Sequence, residues 1–271
     1  MRKGFDPYRR FVMRSIMICL VLLPLLSVIG CHEQNRSAQR SGAPKGTVVI
    51  VHGAWGGGWA FRGVDDLLTA KGYRVYRPTL TGQGERVHLA NQDIGLDVHI
   101  SDVVNTLLFE ELESVVLIGH SYGGMVVTGV ADRVPDRIAQ LIYLDAMVPL
   151  DGESVVENTL IENKWWLSQA RDGFISPSWI RSEQAPPKDV PHPFKTFTDV
   201  VVLKNPQRLD IPTDYILTAE RPSQPERDDF IPYAKRAESF NWPVHILRAD
   251  HNPQWSKPKE LADLFDAIIR Q

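Results

Sequence analysis

The stretch ESVVLIGHSYGGMVV, residues 113–127, contains the features of a buried strand, a sharp turn and the start of a helix. Residues 115–118 are consecutive apolar side chains, mostly β-branched, which is typical of a strand buried on both faces. The glycines at 119 and 123 then enclose Ser121 in the pattern G-x-S-x-G, where a serine occupies a strained turn with its hydroxyl exposed. A side chain at either glycine would collide with neighbouring backbone. The pattern predicts that Ser121 is a nucleophile.

Buried strands alternate with helices on both sides of this stretch. We predict strands at residues 47–51, 73–76, 115–118, 138–144, 215–217 and 244–247, and helices near 60–70, 97–108, 228–239 and 260–269. This alternation favours an α/β fold with a mostly parallel sheet, helices on both faces, and ligands bound beyond the carboxyl ends of the strands. Residues 149–205, rich in tryptophan and proline, interrupt the alternation and are interpreted as a cap insertion over that edge.

Composition limits the classes of function. The 271 residues are 43% hydrophobic and carry a net charge of −3 without a basic tract, which supports one sizeable core and argues against a nucleic-acid partner. The two cysteines, Cys19 and Cys31, both precede the globular part, which therefore contains neither a disulfide nor a cysteine metal site. We expect no metal and no cofactor.

The first 45 residues are predicted to export and anchor the protein. Basic residues precede an apolar run at 16–29 that is short for a membrane span and typical of a signal peptide, assigned to residues 1–30. The run ends before Cys31 in a segment that resembles the bacterial lipobox, which implies cleavage before Cys31 and its acylation. Residues 31–45 then form a lipid-attachment cysteine and flexible tether. The alternative is an uncleaved signal anchor. The predicted location is the cell envelope, facing the periplasm or exterior.

A serine nucleophile needs a histidine base and an acid that orients the base. Three histidines follow Ser121: His192 lies in the insertion, His245 lies within a strand pattern, and His251 directly follows the last strand. The carboxyl end of that strand lies at the edge where Ser121 is exposed, so His251 is predicted to be the base.

The acid is less constrained by the sequence. Glu220 and Asp145 each follow a predicted strand and project from the reacting edge, and Asp228 is a third candidate. Asp250, next to the base, is interpreted as a loop-capping residue. We favour Glu220 and keep Asp145 as the alternative. The oxyanion hole is predicted to be the backbone N–H groups of Ala54 and Tyr122. His52 is interpreted as a brace for the first loop.

Four segments carry a family resemblance: VHGAWGGGWAF at 51–61, TLTGQGERVHL at 79–89, DVVNTLLFEEL at 102–112 and GHSYGG at 119–124. Together they resemble the α/β-hydrolase fold, and within it the bacterial pyrethroid-hydrolase-like esterases and, more distantly, plant methylesterases and hydroxynitrile lyases. The resemblance covers residues 46–271 and implies a serine esterase. Its bacterial members use a glutamate after the penultimate strand, which supports Glu220. The lyases place lysine where this chain has Asn252, so lyase chemistry is disfavoured.

The predicted function is therefore hydrolysis of small-molecule carboxylic esters through an acyl-enzyme, by a Ser121–His251–Glu220 triad. Trp165, Trp166 and Phe174 are expected to roof an apolar substrate pocket, so the substrate should have a bulky apolar part. The alternative for these aromatics is a core of the insertion itself. The alternative functions are lactone or amide hydrolysis, acyl transfer, cofactor-free haloperoxidase chemistry, or a non-catalytic ligand receptor on the same fold.

Overall fold

The computed structural model describes residues 43–157, 160, 164–220 and 229–270. The predicted signal peptide, Cys31, most of the tether and Asp228 lie outside these ranges. Within them, no helix is long and apolar enough to cross a membrane.

Six strands of the described chain form a parallel sheet at the centre of the unit that spans residues 44–271. The nine strands are β1 Thr47–Val51, β2 Arg74–Tyr76, β3 Val115–His120, β4 Ile138–Leu144, β5 Ala170–Arg171, β6 Phe174–Ile175, β7 His192–Pro193, β8 Thr213–Thr218 and β9 Val244–Leu247. The order in the central sheet is β2-β1-β3-β4-β8-β9, and all five neighbouring pairs are parallel. The carboxyl ends of β3, β4, β8 and β9 therefore lie side by side at one edge.

Helices cover both faces of the sheet. They are α1 Arg62–Ala70, α2 Leu96–Phe109, α3 Gly123–Arg133, α4 Lys195–Thr198, α5 Ile231–Ser239, α6 Pro253–Ser256 and α7 Pro258–Ile269. Successive residues of a strand point to opposite faces, so β1 sends Val49 and Val51 into the core shared with α2, α3 and α5. Val48 and Ile50 enter the second core, under α1 and α7. Both faces are apolar, which explains the continuous hydrophobic runs of the strands.

The fold predicted from the sequence is confirmed. β1, β4 and β9 have the predicted bounds, and α2 extends the predicted helix by one residue at each end. The first helix differs, because a 3-10 turn at Gly58–Phe61 precedes α1.

The segment predicted as a cap insertion contains little regular structure. It has a 3-10 helix at Trp165–Gln169, a small antiparallel sheet of β5, β6 and β7, and the short helix α4. Its aromatic side chains extend the core cluster that α2, α3 and α5 form with the sheet, since Trp166 and Phe197 are buried in that cluster. The segment is therefore packed on the edge of the sheet where the strands end.

Candidate active site

Ser121 lies in the turn between β3 and α3 with a φ of 56°, a left-handed conformation that is unusual for a residue with a side chain. The glycines around it are required by close packing. A Cβ at Gly119 would lie 2.8 Å from the carbonyl oxygen of Gly123, and one at Gly123 would lie 2.6 Å from that of Val51. The predicted steric role of both glycines is confirmed, and the strained turn lifts the Ser121 hydroxyl off the end of the strand.

His251 forms the next link of the site. The Ser121 hydroxyl lies 2.9 Å from Nε2 of His251, and Nδ1 of the same ring lies 2.6 Å from Oδ2 of Asp145. Because the Asp145 carboxylate accepts a hydrogen bond, Nδ1 carries the proton and Nε2 is left as the acceptor for the serine hydroxyl. The ring of Phe230 stacks on the His251 ring at 4.6 Å between centroids, which restricts rotation of the imidazole.

The acid at His251 is Asp145 and not Glu220, and the prediction is corrected on this geometry. Asp145 follows β4 with a φ of 44° and is fully buried. Its Oδ1 accepts the backbone N–H of Thr218 at 2.9 Å, so both carboxylate oxygens have a donor. Glu220 is exposed, two residues beyond the end of β8. The left-handed turn after β4 directs the shorter acid back under the sheet edge, and β8 supplies a backbone donor to it rather than a side chain.

Ala54 and Tyr122, the two residues predicted to form the oxyanion hole, line the same cavity as Ser121. The backbone N–H groups of both have no hydrogen-bond acceptor among the described residues. The next residue after Ala54, Trp55, has a φ of 65°, and its N–H donates to Nδ1 of His192 at 3.3 Å, which holds the loop in place. The two residues predicted to supply oxyanion donors thus lie at the cavity that contains Ser121, one after β1 and the other after β3.

Two buried histidines support these loops. His52 donates from Nδ1 to the Gly53 carbonyl oxygen at 2.7 Å and accepts the Leu80 N–H on Nε2 at 3.1 Å. Burial lowers the pKa of His52 to about 4, so His52 is uncharged near neutral pH and braces the first loop, as predicted from the sequence. His120 donates from Nε2 to the carbonyl oxygen of His251 at 2.8 Å. Burial, reinforced by the adjacent His251 ring, lowers the pKa of His120 to about 3.

A cavity of about 680 Å³ opens above the serine. Its lining includes Trp165 and Trp166, as predicted, but not Phe174. Phe174 and Ile175 are neighbours in β6 and point to opposite sides; Ile175 is the buried one. The period-2 alternation of a short strand therefore removes Phe174 from the predicted pocket.

The remaining predicted residues have structural roles. His245 lies within β9, and its Nε2 is 2.8 Å from Oδ1 of Asp214. It does not contact Ser121, whose hydroxyl is hydrogen-bonded to His251. Asp250 accepts the Asn252 N–H at 3.0 Å and the Ser256 hydroxyl at 2.8 Å, which confirms its loop-capping role. In the part of the chain that the structure describes, no group of three or more histidine, cysteine or acidic side chains could hold a metal ion.

Among the lining residues that were not predicted from the sequence are Trp55, Trp179 and Asp189. Trp55 directly follows Ala54, a predicted oxyanion donor, and this position in the sequence could have indicated that Trp55 lines the pocket. Trp179 and Asp189 come from the insertion, where no periodicity indicated which side chains face inward.

Comparison with known proteins gives the following matches. A family model described as "Alpha/beta hydrolase family" matches residues 48–264. The chain is 52% identical over 108 residues to a carbendazim hydrolyzing esterase of Nocardioides sp. (strain SG-4G), covering 40% of this chain and 45% of that relative. It is 37% identical over 107 residues to a pyrethroid hydrolase of Sphingobium wenxiniae, covering 39% and 37%. The chain thus matches less than half the length of these two relatives.

A solved structure gives a match over nearly the whole folded part. A methylesterase from Arabidopsis has 25% sequence identity and a TM-score of 0.64, covering 83% of this chain and 100% of that one. The similarity therefore includes the central sheet and the segment that packs on its edge.

Proposed function

Because the chain belongs to the alpha/beta hydrolase family, we propose that it is a serine hydrolase that cleaves carboxylic esters with a bulky apolar part. One observation carries this proposal. Ser121, His251 and Asp145 form a continuous hydrogen-bonded chain at the floor of a cavity of about 680 Å³. Nucleophile, base and orienting acid in this order are what acyl transfer requires.

Acylation follows from these contacts. As Ser121 Oγ attacks the ester carbonyl carbon, its proton moves to Nε2 of His251, 2.9 Å away. The Asp145 carboxylate, on Nδ1, stabilises the imidazolium that forms. The carbonyl oxygen becomes an oxyanion held by the N–H groups of Ala54 and Tyr122, and each such donor contributes roughly 10²–10³ in rate. The tetrahedral intermediate then collapses, the ester C–O bond breaks, and the alcohol leaves with the proton from Nε2.

Deacylation repeats these steps with water. His251 Nε2 removes a proton from a water molecule, whose oxygen attacks the acyl carbon, and the same two N–H groups hold the second oxyanion. Collapse releases the carboxylic acid and returns the proton from Nε2 to Ser121. The neutral state of His120 supports this cycle, because a cation beside His251 would oppose formation of the imidazolium.

The shape of the cavity supports the apolar substrate. Much of its wall consists of aromatic side chains, namely Trp55, Trp165, Trp179 and the buried Trp166 and Phe197. Large aromatic surfaces of this kind bind bulky apolar groups. One relative is named for hydrolysis of carbendazim and another for hydrolysis of pyrethroids. We therefore include carbendazim and the pyrethroid class among the candidate substrates.

An ester panel with matched serine variants tests the proposal. We expect the purified protein to hydrolyse phenyl acetate and bulkier aryl esters, and Ser121→Ala to lose this turnover. Ser182→Ala, which changes an exposed serine of the insertion, should retain it. A fluorophosphonate probe should add once, to Ser121. Labelling or turnover that persists in Ser121→Ala would contradict the assignment, and a wild-type protein that binds esters without turnover would favour a receptor.

We also propose that the chain is exported and held on the cell envelope by acylation of Cys31. The support is the leader itself, in which basic residues, an apolar run and a cysteine follow in the order of a lipoprotein signal. One acyl chain binds a bilayer only marginally, whereas two or more anchor a protein stably, because each buried CH₂ contributes about 0.8 kcal/mol. Attachment of this kind does not depend on surface charge.

Fractionation distinguishes this anchor from the alternatives. The mature protein should remain with membranes in high salt, and Cys31→Ser should release it or leave the leader uncleaved. Cys19→Ser, in the same leader, is the matched control and should behave as the wild type. Mass spectrometry of the mature N-terminus gives the decisive result, since an unmodified Cys31 or a chain that begins at Met1 would exclude the lipoprotein.

A further inference from the structure

Three tryptophan rings form a box at the cavity that contains Ser121. The tryptophan box consists of Trp55, Trp165 and Trp179, whose ring centroids lie 5.7 Å (55 to 165), 5.6 Å (55 to 179) and 5.3 Å (165 to 179) apart. Trp55 directly follows the oxyanion donor Ala54 along the chain. Because the box and Ser121 line the same cavity, a molecule whose carbonyl lies at the serine can place another of its groups against the box. Aromatic walls attract flat rings and positively polarised groups.

A carboxylate belongs to the same wall. Asp189 lines the cavity, and its Oδ2 accepts the indole N–H of Trp179 at 3.1 Å. The next residue, Val190, donates its N–H to the carbonyl oxygen of Trp55 at 2.9 Å. This hydrogen bond links the segment that contains Asp189 to the loop that contains Ala54 and Trp55. Burial raises the pKa of Asp189, and the hydrogen bond from Trp179 opposes that rise. No described lysine, arginine or histidine forms an ion pair with Asp189, and its Oδ1 has no donor among the described residues.

The charge of the cavity agrees with this arrangement. The carboxylates and imidazoles of the lining are those of Asp145, Asp189, Asp229, His52, His120 and His251. Burial holds the pKa of His52 at about 4 and that of His120 at about 3, so both are uncharged near neutral pH. The described lining contains no lysine or arginine. Its carboxylates thus lack a fixed positive counter-charge, which favours N–H donors and cations and disfavours anions.

We propose that Asp189 and the tryptophan box form a specificity subsite for an aromatic group that carries an N–H donor or a protonated nitrogen. The flat ring packs against the indoles while its N–H donates to Oδ1 of Asp189. This inference rests on the proposed ester hydrolysis and narrows its substrate class to nitrogen-bearing aromatic esters. Asp189 does not take part in bond breaking; it selects which ester is held at Ser121.

A matched pair of substrates isolates the N–H. 3-Indolyl acetate and 1-methyl-3-indolyl acetate share the ring and the ester and differ in that one donor. The wild-type protein should prefer the N–H compound by roughly 10- to 100-fold in kcat/KM, the range for a hydrogen bond to a charged group. Asp189→Leu should bring this ratio close to one, and Asp189→Asn, which keeps an acceptor oxygen, should leave it intermediate. Glu183→Gln removes an exposed carboxylate of the same segment that does not line the cavity, and it should keep the wild-type ratio.

A binding measurement separates this inference from the proposed function. The dissociation constants of both compounds for Ser121→Ala, measured by calorimetry, should show the same preference without turnover. If the preference in Kd is present but the wild type hydrolyses no ester, the subsite is supported and the esterase function is overturned. If the wild type hydrolyses both indolyl esters at equal kcat/KM, or Asp189→Leu keeps the ratio, the subsite is overturned and the esterase function stands.

Discussion

Replacement of Asp145 by asparagine tests the arrangement of the site most directly. Oδ2 of Asp145 accepts Nδ1–H of His251 at 2.6 Å, and Oδ1 accepts the Thr218 N–H at 2.9 Å. Asparagine has one carbonyl oxygen, which the fixed Thr218 N–H would hold, because the reverse orientation would set two donors against each other. The amide NH₂ would then face His251 Nδ1. This favours the tautomer protonated on Nε2, which cannot accept the proton of Ser121.

The size of the expected loss follows from that tautomer. An acid-to-amide change at this place in a serine protease triad lowers kcat about 10⁴-fold. At 1.36 kcal/mol for each factor of ten, the barrier of Asp145→Asn should rise by about 5 kcal/mol. The assay is kcat for phenyl acetate, with circular dichroism and urea unfolding to verify that the variant is folded. A correctly folded Asp145→Asn that keeps kcat within tenfold of the wild type would refute the reasoning.

Glu220→Gln is the matched control for this experiment. It makes the same change of chemical group at the acid that the sequence favoured, and Glu220 is exposed. We expect its kcat to stay within about twofold of the wild type, since exposed substitutions away from a site have small effects. A loss at Glu220→Gln as large as that at Asp145→Asn would restore Glu220 to the site.

Two further predictions concern stability. Gly124→Ala should lower the free energy of unfolding by about 1–3 kcal/mol, because its Cβ would lie 2.0 Å from a backbone oxygen, whereas Gly63→Ala, with open space around it, should not; urea unfolding measures both. Stability should also fall as the pH drops from 6.5 toward 4. Burial holds the pKa of His52 and His99 at about 4 and that of His120 at about 3 in the folded state. The unfolded chain, with histidine pKa near 6.5, therefore binds more protons in this window, at a cost of about 2 kcal/mol for each histidine at pH 5. A urea midpoint that is unchanged between pH 7 and pH 5 would contradict this account.

The fold could be predicted because its signals are local. Residues 48–51 of β1 and 115–118 of β3 are unbroken apolar runs, and these runs reflect the burial of both faces of the two strands. The apolar residues Ile100, Val103 and Leu107 of α2 recur at helical spacing, and they mark the face that the helix buries. By contrast, residues 149–205 have little regular structure, and their inward and outward side chains follow no period.

The sequence by itself identified Ser121 and His251 as the proposed nucleophile and base of the candidate site. Ser121 is marked by the glycines that its turn requires, and His251 is the histidine that directly follows the last strand of a parallel sheet. Both positions follow from rules that act over a few residues, namely steric limits in a tight turn and the common edge at which parallel strands end.

Only the tertiary structure decided the acid and the cavity wall. Asp145 and Glu220 both follow strands that end at the same edge, so chain order cannot distinguish them. The left-handed turn at Asp145 and the backbone N–H of Thr218 distinguish the two acids, because they hold the Asp145 carboxylate against the imidazole of His251. Asp189 lines the cavity and accepts a hydrogen bond from Trp179, which lies ten residues earlier in an irregular segment. Contacts of this kind depend on how distant segments pack together, and packing leaves no repeating pattern in the sequence.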